Sequence, residues 1–581
     1  MYQFLERVPE EELRAYIDQA LPNFLEKEAV PDRSVAYRVL FSLFGTEVLR
    51  EKKLRRLLCL TLPYGQLREA ASTLGLESER KPFDLALSIS NLPWVPGGRV
   101  VKLFALLFAI PQEFLPSRED EMKSHEIVAP FTPPPELFKY QEELAELLLA
   151  QLMSAEYKAC LLQLPTGAGK TRTVLDALAN FLNDGYIKGL SRGILWLAHT
   201  EELCEQAIES FKRVWARYGA YDAHIYRLWG EYRVAVDEAP MGLIVGGFQK
   251  VALLASSNPE QFQKLLNGVS VLVIDEAHKA LAPTIRNLVE IAKAQQRIQI
   301  VGLTATPGRG VNSGLENRKL SRLFDNKLLV AASLGRDPIG RLQELGVLAK
   351  VQHVPLASQL CYRLTESELA MSEEWGDLSA TILRKLSEDE KRNNVILEAV
   401  RKQVEQGRQT IVFACSVDHA SKLAARFAAQ GFLSAAVDCR MRKSLRRRAV
   451  TEFKQGNIAA LFNYGVLSTG FDAPNIECVV IARPTSSVVL YSQMIGRGLR
   501  GGKMGGNQQC VLIDVVDNFD NFGGVADVYN YFEQFWKPVD RLKMENSASL
   551  APSGAPTFGM LSEFNRHKRK RLPRSGLSDS D

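Results

Sequence analysis

Short, uninterrupted apolar runs recur along the middle of this chain, each followed by a longer stretch with helical spacing. From Tyr140 to about residue 335 the runs are Ala159–Leu164, Gly193–Ala198, Leu243–Val245, Val271–Ile274 and Ile298–Leu303. Runs of this kind predict strands buried on both faces, and helices between them predict a parallel sheet. From about residue 355 to 530 the rhythm repeats. Thr410–Ala414, Ser434–Val437, Ile458–Phe462, Glu477–Ile481 and Cys510–Asp514 are the predicted strands, and Val417–Gln430 is an amphipathic helix between two of them. The predicted fold class is therefore α/β, with two doubly wound lobes in tandem.

The flanks differ. Residues 1–125 predict a helical accessory domain, with Leu13, Ile17, Leu21, Phe24 and Leu25 roughly on one helical face and Pro22 placed to interrupt it. Within it, Leu67–Leu87 resembles the small helix-turn-helix-like SAP domains that bind DNA; a plain helical packing module is the alternative. Residues 126–136, with the proline-rich 130–135, predict a linker. Lobe 1 is placed at 137–335, a connecting segment at 336–390 and lobe 2 at 391–545. Residues 546–581 predict a Ser/Ala/Pro/Gly linker and a disordered tail. That tail carries the basic cluster 566–571, either a solvated run or an accessory phosphate-binding arm.

Bulk properties narrow the classes. A length of 581 residues fits about three or four domains. With 46% hydrophobic and 24% charged residues, the composition is that of a soluble globular protein. The net charge of +5, from 72 basic and 67 acidic residues, permits nucleic-acid binding without arguing for it. The longest apolar stretch, near Val100–Ile110, contains Lys102 and is too short to span a membrane. The first residues lack the pattern of a signal peptide. None of the 8 cysteines pair at C-x₂₋₄-C spacing, which argues against a zinc ribbon or an iron–sulfur cluster. Reduced, buried thiols in a cytoplasmic protein are the expectation.

Two segments carry chemistry. Pro165, Thr166, Gly167, Ala168, Gly169, Lys170 and Thr171 follow the first predicted strand and precede the helical stretch Thr171–Leu182. Glycines there let backbone N–H groups approach phosphates, and the helix N-terminus adds positive potential. Lys170 would reach the β- and γ-phosphates, and the Thr171 hydroxyl would ligate Mg²⁺. The loop departs from G-x-x-x-x-G-K-[ST], because Leu164 stands in the place of the first glycine. Downstream, Val271–Ile274 delivers Asp275 and Glu276 at its C-terminal end, where ligands bind in such sheets. Asp275 would hold Mg²⁺ and Glu276 would polarise the attacking water. Hydrolysis of a nucleoside triphosphate is the predicted activity.

The motifs, in this order and spacing, resemble the superfamily 2 helicases and translocases. The likeness is to the DEAH-type branch that includes the motor subunits of type I and type III restriction enzymes and related DNA-repair helicases, and it covers residues of about 137–530. It implies two RecA-like lobes, with ATP and Mg²⁺ as cofactors. Gln141 would read the adenine edge. His199 and Thr200, Gly247 and Gln249, and Ser416 would lie along the nucleic acid. At Gly247 the family usually has threonine, so only a main-chain contact carries over. His278, Thr304 and Thr306 would couple nucleotide state to lobe movement. Ser468 and Thr469 would meet nucleic-acid phosphate, while Gly470 and Asp472 would face the nucleotide. Gln493, Arg497 and Arg500 would share one helical face and complete the site from lobe 2.

The resemblance implies an ATP-dependent DNA helicase or translocase, with DNA favoured over RNA by analogy. An RNA helicase is one alternative. Another is a nucleotide-switched ATPase subunit of a defence or repair complex, with a protein partner on residues 1–125. No second carboxylate cluster of the restriction-nuclease kind is found, so any cutting would fall to a partner.

Overall fold

The computed structural model describes residues 3–20, 33–116, 125–128, 136–154, 158–190, 193–232, 242–295, 297–305, 314–335, 337–362, 365, 368, 378–467, 476–485 and 487–519. Two sheets organise it. The first has the order β1-β4-β5-β3-β6-β7-β2-β8. Its strands are β1 (His125–Val128), β2 (Ala159–Gln163), β3 (Gly193–Ala198), β4 (Ala223–Leu228), β5 (Gly242–Gly247), β6 (Val269–Ile274), β7 (Gln299–Thr304) and β8 (Leu328–Leu329). All neighbours are parallel except β1, which runs antiparallel to β4 at the edge. Successive side chains point to opposite faces, and here both faces are dry. Cys160, Leu162, Ile194 and Trp196 enter one core; Ala159, Leu161, Leu195 and Leu197 enter the other.

The second sheet is wholly parallel, in the order β11-β12-β10-β13-β14-β9. It comprises β9 (Lys350–Tyr362), β10 (Thr410–Phe413), β11 (Ser434–Val437), β12 (Ala460–Asn463), β13 (Cys478–Ile481) and β14 (Gln509–Phe519). Ile411 and Phe413 face one core, Val412 and Ala414 the other. The two doubly wound lobes are thus present, as the apolar runs predict.

Two boundaries differ from the sequence expectation. Residues 126–128, expected as linker, form most of β1 and close the edge of the first sheet. The segment 336–390, expected to connect the lobes, contributes β9 to the second sheet beside β14. Both are edge strands and mix polar with apolar residues, so neither shows the continuous apolar run of a central strand.

The first 116 residues hold the helices Glu10–Ala20, Arg33–Phe44, Lys52–Leu60, Tyr64–Thr73, Pro82–Asn91 and Arg99–Phe108. The first of these is described as far as Ala20, and Leu21, Pro22, Phe24 and Leu25 lie outside the described residues. The helices build their own core, which continues into lobe 2 through Ala425 and Ala428 of the helix Val417–Ala429. Arg38 Nε donates to the Ala428 carbonyl at 3.3 Å, and Arg448 Nη1 donates to the Glu113 carbonyl at 3.0 Å. The accessory domain is therefore seated on lobe 2. The basic cluster 566–571 lies outside the described residues. Among the described residues, no helix is long and apolar enough to cross a membrane.

Candidate nucleotide site between the lobes

The phosphate loop leaves β2 at Leu164 and enters the helix Lys170–Ile187. Leu164 N donates to the Thr304 carbonyl at 3.2 Å, so the loop's first residue is pinned to the end of β7. Gly167 and Gly169 adopt φ of 85° and 86°, where a side chain is strained. Space enforces glycine at 169 as well, since a Cβ there would stand 2.4 Å from Gln141 Nε2. Gln141 is buried against the loop: its Nε2 donates to the Ala168 carbonyl at 3.3 Å, and its Oε1 accepts from Phe138 N at 3.0 Å. Tyr140, outside the expected site residues, donates its hydroxyl to the same carbonyl at 2.9 Å. Its place directly before Gln141 was the available signal.

Lys170 Nζ donates to the Leu164 carbonyl at 3.1 Å. Burial lowers its pKa, Glu276 and Asp275 oppose that shift, and Arg497 of lobe 2 adds to it. Asp275 ends β6, with its N–H donated to the Leu197 carbonyl at 2.9 Å and its Oδ1 accepting from Glu276 N at 2.9 Å. Burial and the neighbouring Glu276 charge push Asp275 up. Burial also acts to raise Glu276, but the basic groups around it, His278 first and then Lys170, His199 and Arg497, hold it below its ordinary value. His278 Nδ1 stands 3.3 Å from Glu276 Oε2. Lys279, next to the motif and also absent from the expected set, feels both carboxylates.

The lobe 2 side of the site corrects one expectation. Gln493 lies on the helix Val488–Ile495, but that helix ends before Arg497, and Arg500 sits in an isolated antiparallel bridge with Leu348. The three side chains therefore do not share a helical face. Two glycines in close contacts mark the break. A Cβ at Gly496 would stand 2.4 Å from Thr166 Cγ2 of the phosphate loop, and one at Gly498 would stand 2.3 Å from Cys510 Sγ. The chain turns sharply between these two close approaches. Ala349 N then donates to the Leu499 carbonyl at 2.8 Å, and Gly501 N to the Val347 carbonyl at 2.9 Å. The result is an arginine turn laid against the phosphate loop.

The residues assigned to nucleic acid are placed differently from one another. Thr200 and Ser416 cap the helices Glu201–Tyr218 and Val417–Ala429, their hydroxyls accepting from Leu203 N at 3.3 Å and His419 N at 3.0 Å. Those hydroxyls serve the helix starts, as Ser and Thr at such positions commonly do. His199 faces the carboxylate site instead: burial, with Lys279 nearby, lowers its pKa to about 4. Gly247 caps the helix Phe248–Ser257, and Trp229 Cβ lies 3.2 Å from where a side chain at 247 would begin. Gln249 is exposed in the first turn of that helix. Thr304 is buried at the end of β7. Thr306, Ser468, Thr469, Gly470 and Asp472 lie outside the described residues.

The arrangement suits a nucleoside triphosphate. A loop with two positive-φ glycines runs into a helix start, and Gln493 Nε2 is buried with no acceptor among the described residues. The oxygen donors Thr171 and Asp275 suit a hard cation, whose charge would offset the crowding of Asp275 by Glu276.

Comparison with known families agrees. Residues 135–309 match the family "Type III restriction enzyme, res subunit", and residues 391–502 match "Helicase conserved C-terminal domain". The chain belongs to the superfamily 2 helicases. It is related within them to restriction-enzyme motor subunits. The putative ATP-dependent helicase IRC3 of Saccharomyces cerevisiae is 27% identical over 390 residues, which are 66% of this helicase and 52% of the yeast protein. This helicase thus spans about half the length of that relative. The ATP-dependent DNA helicase Hel308 of Methanocaldococcus jannaschii is 30% identical over 26% of this chain and 12% of its own. The mouse ATP-dependent RNA helicase DHX58 is 27% identical over 34% and 28%.

Proposed function

We propose that this helicase hydrolyses ATP in the cleft between its lobes and uses the cycle to move along DNA. The carrying observation is the arginine turn of lobe 2 closed against the phosphate loop, with Arg497 acting on both Lys170 and Glu276. Gln141 reads the base edge, Lys170 reaches the transferring phosphoryl group, and Glu276 takes the proton of the attacking water. Thr171 and Asp275 would hold a Mg²⁺ ion, which would supply charge neutralisation at the phosphates. Arg497 and Arg500 stabilise the transition state only when the lobes meet, an effect of roughly 10³–10⁵ in rate for arginine fingers. Hydrolysis is thereby tied to lobe closure. Nucleic acid lying across both lobes would be stepped by that closure, mostly through backbone contacts.

DNA is favoured because the lobe 1 match is to a restriction-enzyme subunit. The relatives bear names of both DNA and RNA helicases, and RNA is the second substrate to test. The accessory domain on lobe 2 offers a place for a protein partner. A cytoplasmic location is part of the same proposal, in keeping with cysteines that are free wherever they are described. The test is strand displacement: matched DNA and RNA duplexes with single-stranded tails, plus a blunt DNA duplex carrying a labelled third strand. ATP-dependent displacement from DNA alone supports the proposal. Displacement from RNA alone transfers the activity to RNA, and none from any substrate argues for a nucleotide switch.

A further inference from the structure

A buried carboxylate in lobe 2 joins the two chain segments that flank the arginine turn. Asp514 lies on β14, aligned with Ile481 of β13 on one side and Pro355 of β9 on the other. Its side chain is wholly excluded from solvent. One oxygen, Oδ2, receives both the Tyr491 hydroxyl at 2.5 Å and His353 Nε2 at 2.5 Å. Tyr491 is itself fully buried and lies on the helix Val488–Ile495, two residues before Gln493. His353 lies on β9, just beyond the Val347–Ala349 stretch that bonds Leu499 and Gly501. The helix leads into the arginine turn, and the stretch before β9 pairs with its exit. A single carboxylate on β14 therefore ties together the segments at both ends of the turn.

We propose that Asp514, acting through Tyr491 and His353, is a positioning residue for Arg497 and Arg500. A buried carboxylate is costly to keep, and it is kept here with two donors converging on one oxygen. Packing alone would be served as well by an apolar side chain. The convergent bonds instead fix the helix and β9 relative to each other, and that relation sets where the turn meets the phosphate loop. Nucleotide binding by lobe 1 does not depend on this anchor, but the transition-state contacts do.

The proposal rests on the ATPase reading above, and the assay separates the two. ATP hydrolysis by the full chain is measured for wild type, Tyr491→Phe, His353→Ala and His353→Gln, with thermal unfolding followed in parallel. Wild type that hydrolyses no ATP under any condition refutes the ATPase itself. With an active wild type, Tyr491→Phe is expected to lower kcat by about 10- to 100-fold, as a displacement of up to an ångström in a catalytic group does, while KM for ATP stays the same. His353→Ala is expected to act in the same sense, and His353→Gln, which keeps a donor, to recover part of the rate. If Tyr491→Phe fails to fold, His353→Ala on the edge strand carries the test. A wild-type kcat in folded variants, with only a lower melting temperature, makes the cluster structural and overturns the proposal. So does a change confined to KM.

Discussion

Gly496→Ala isolates lobe closure from every other property of the site. Gly496 has φ of −53°, so alanine meets no backbone penalty there. The closest contacts are across the cleft, with a lesser approach of 3.0 Å to the Ser492 carbonyl of the preceding helix. The new methyl would stand 2.4 Å from Thr166 Cγ2 and 2.7 Å from Thr166 Cβ, whereas ordinary contact begins at 3.4 Å. The arginine turn must therefore withdraw from the phosphate loop by about 1 Å. Misplacement on that scale can cost about 100-fold in rate, or about 2.7 kcal/mol of transition-state stabilisation. Gln141, Lys170 and Asp275 are untouched, so nucleotide affinity should hold. The assay is a double-mutant cycle on kcat with Thr166→Gly, which removes the clashing atoms. Gly496→Ala should be severe in the native background and much milder when residue 166 is glycine. A wild-type kcat for Gly496→Ala, or equal losses in both backgrounds, would refute the idea that hydrolysis needs this contact.

Other consequences concern stability and assembly. Arg392 and Asp517 form a fully buried pair with two bonds of 2.8 Å, and Arg392 also donates to the Ala482 carbonyl at 2.6 Å. Asp517→Asn leaves the guanidinium under-paired and should cost lobe 2 about 3–5 kcal/mol, read from urea unfolding; a loss below about 1 kcal/mol would contradict the pairing. Burial lowers the His199 pKa to about 4 from 6.5, so the unfolded chain takes up the proton first. Stability should fall as pH drops from 6.5 through about 4, and His199→Gln should flatten that part of the acid-unfolding curve; an unchanged curve would show that His199 is not held neutral. Ala428 is fully buried where the accessory domain meets lobe 2. Ala428→Arg should detach that domain and enlarge the radius of gyration in small-angle scattering, whereas an unaltered profile would place the domain's anchorage elsewhere.

What the sequence could express locally, it expressed well. Val271–Ile274 of β6 is buried on both faces and is a continuous apolar run, and the carboxylates at its end are legible with it. Strands at and near the sheet edge lack such a run. β4 (Ala223–Leu228), second from the edge, begins with buried and partly exposed residues in alternation and has no apolar run to find. Residue pairs far apart in the chain left no local trace at all. The helix predicted through Arg500 ends at Ile495, where Thr166, more than three hundred residues earlier, lies against Gly496. Arg392 and Asp517 meet across a separation of 125 residues, and Arg38 meets Ala428 across 390. The capping roles of Thr200 and Ser416 were legible in principle, since each directly precedes a helix.

The most direct measurement of the central claim is steady-state ATP hydrolysis by the purified full chain. It would be run with no nucleic acid, single-stranded DNA, duplex DNA and RNA in parallel, and Glu276→Gln as control. A DNA-driven motor predicts strong stimulation by DNA that disappears in the variant. Hydrolysis that is robust and indifferent to every nucleic acid, or that persists in Glu276→Gln, would contradict it.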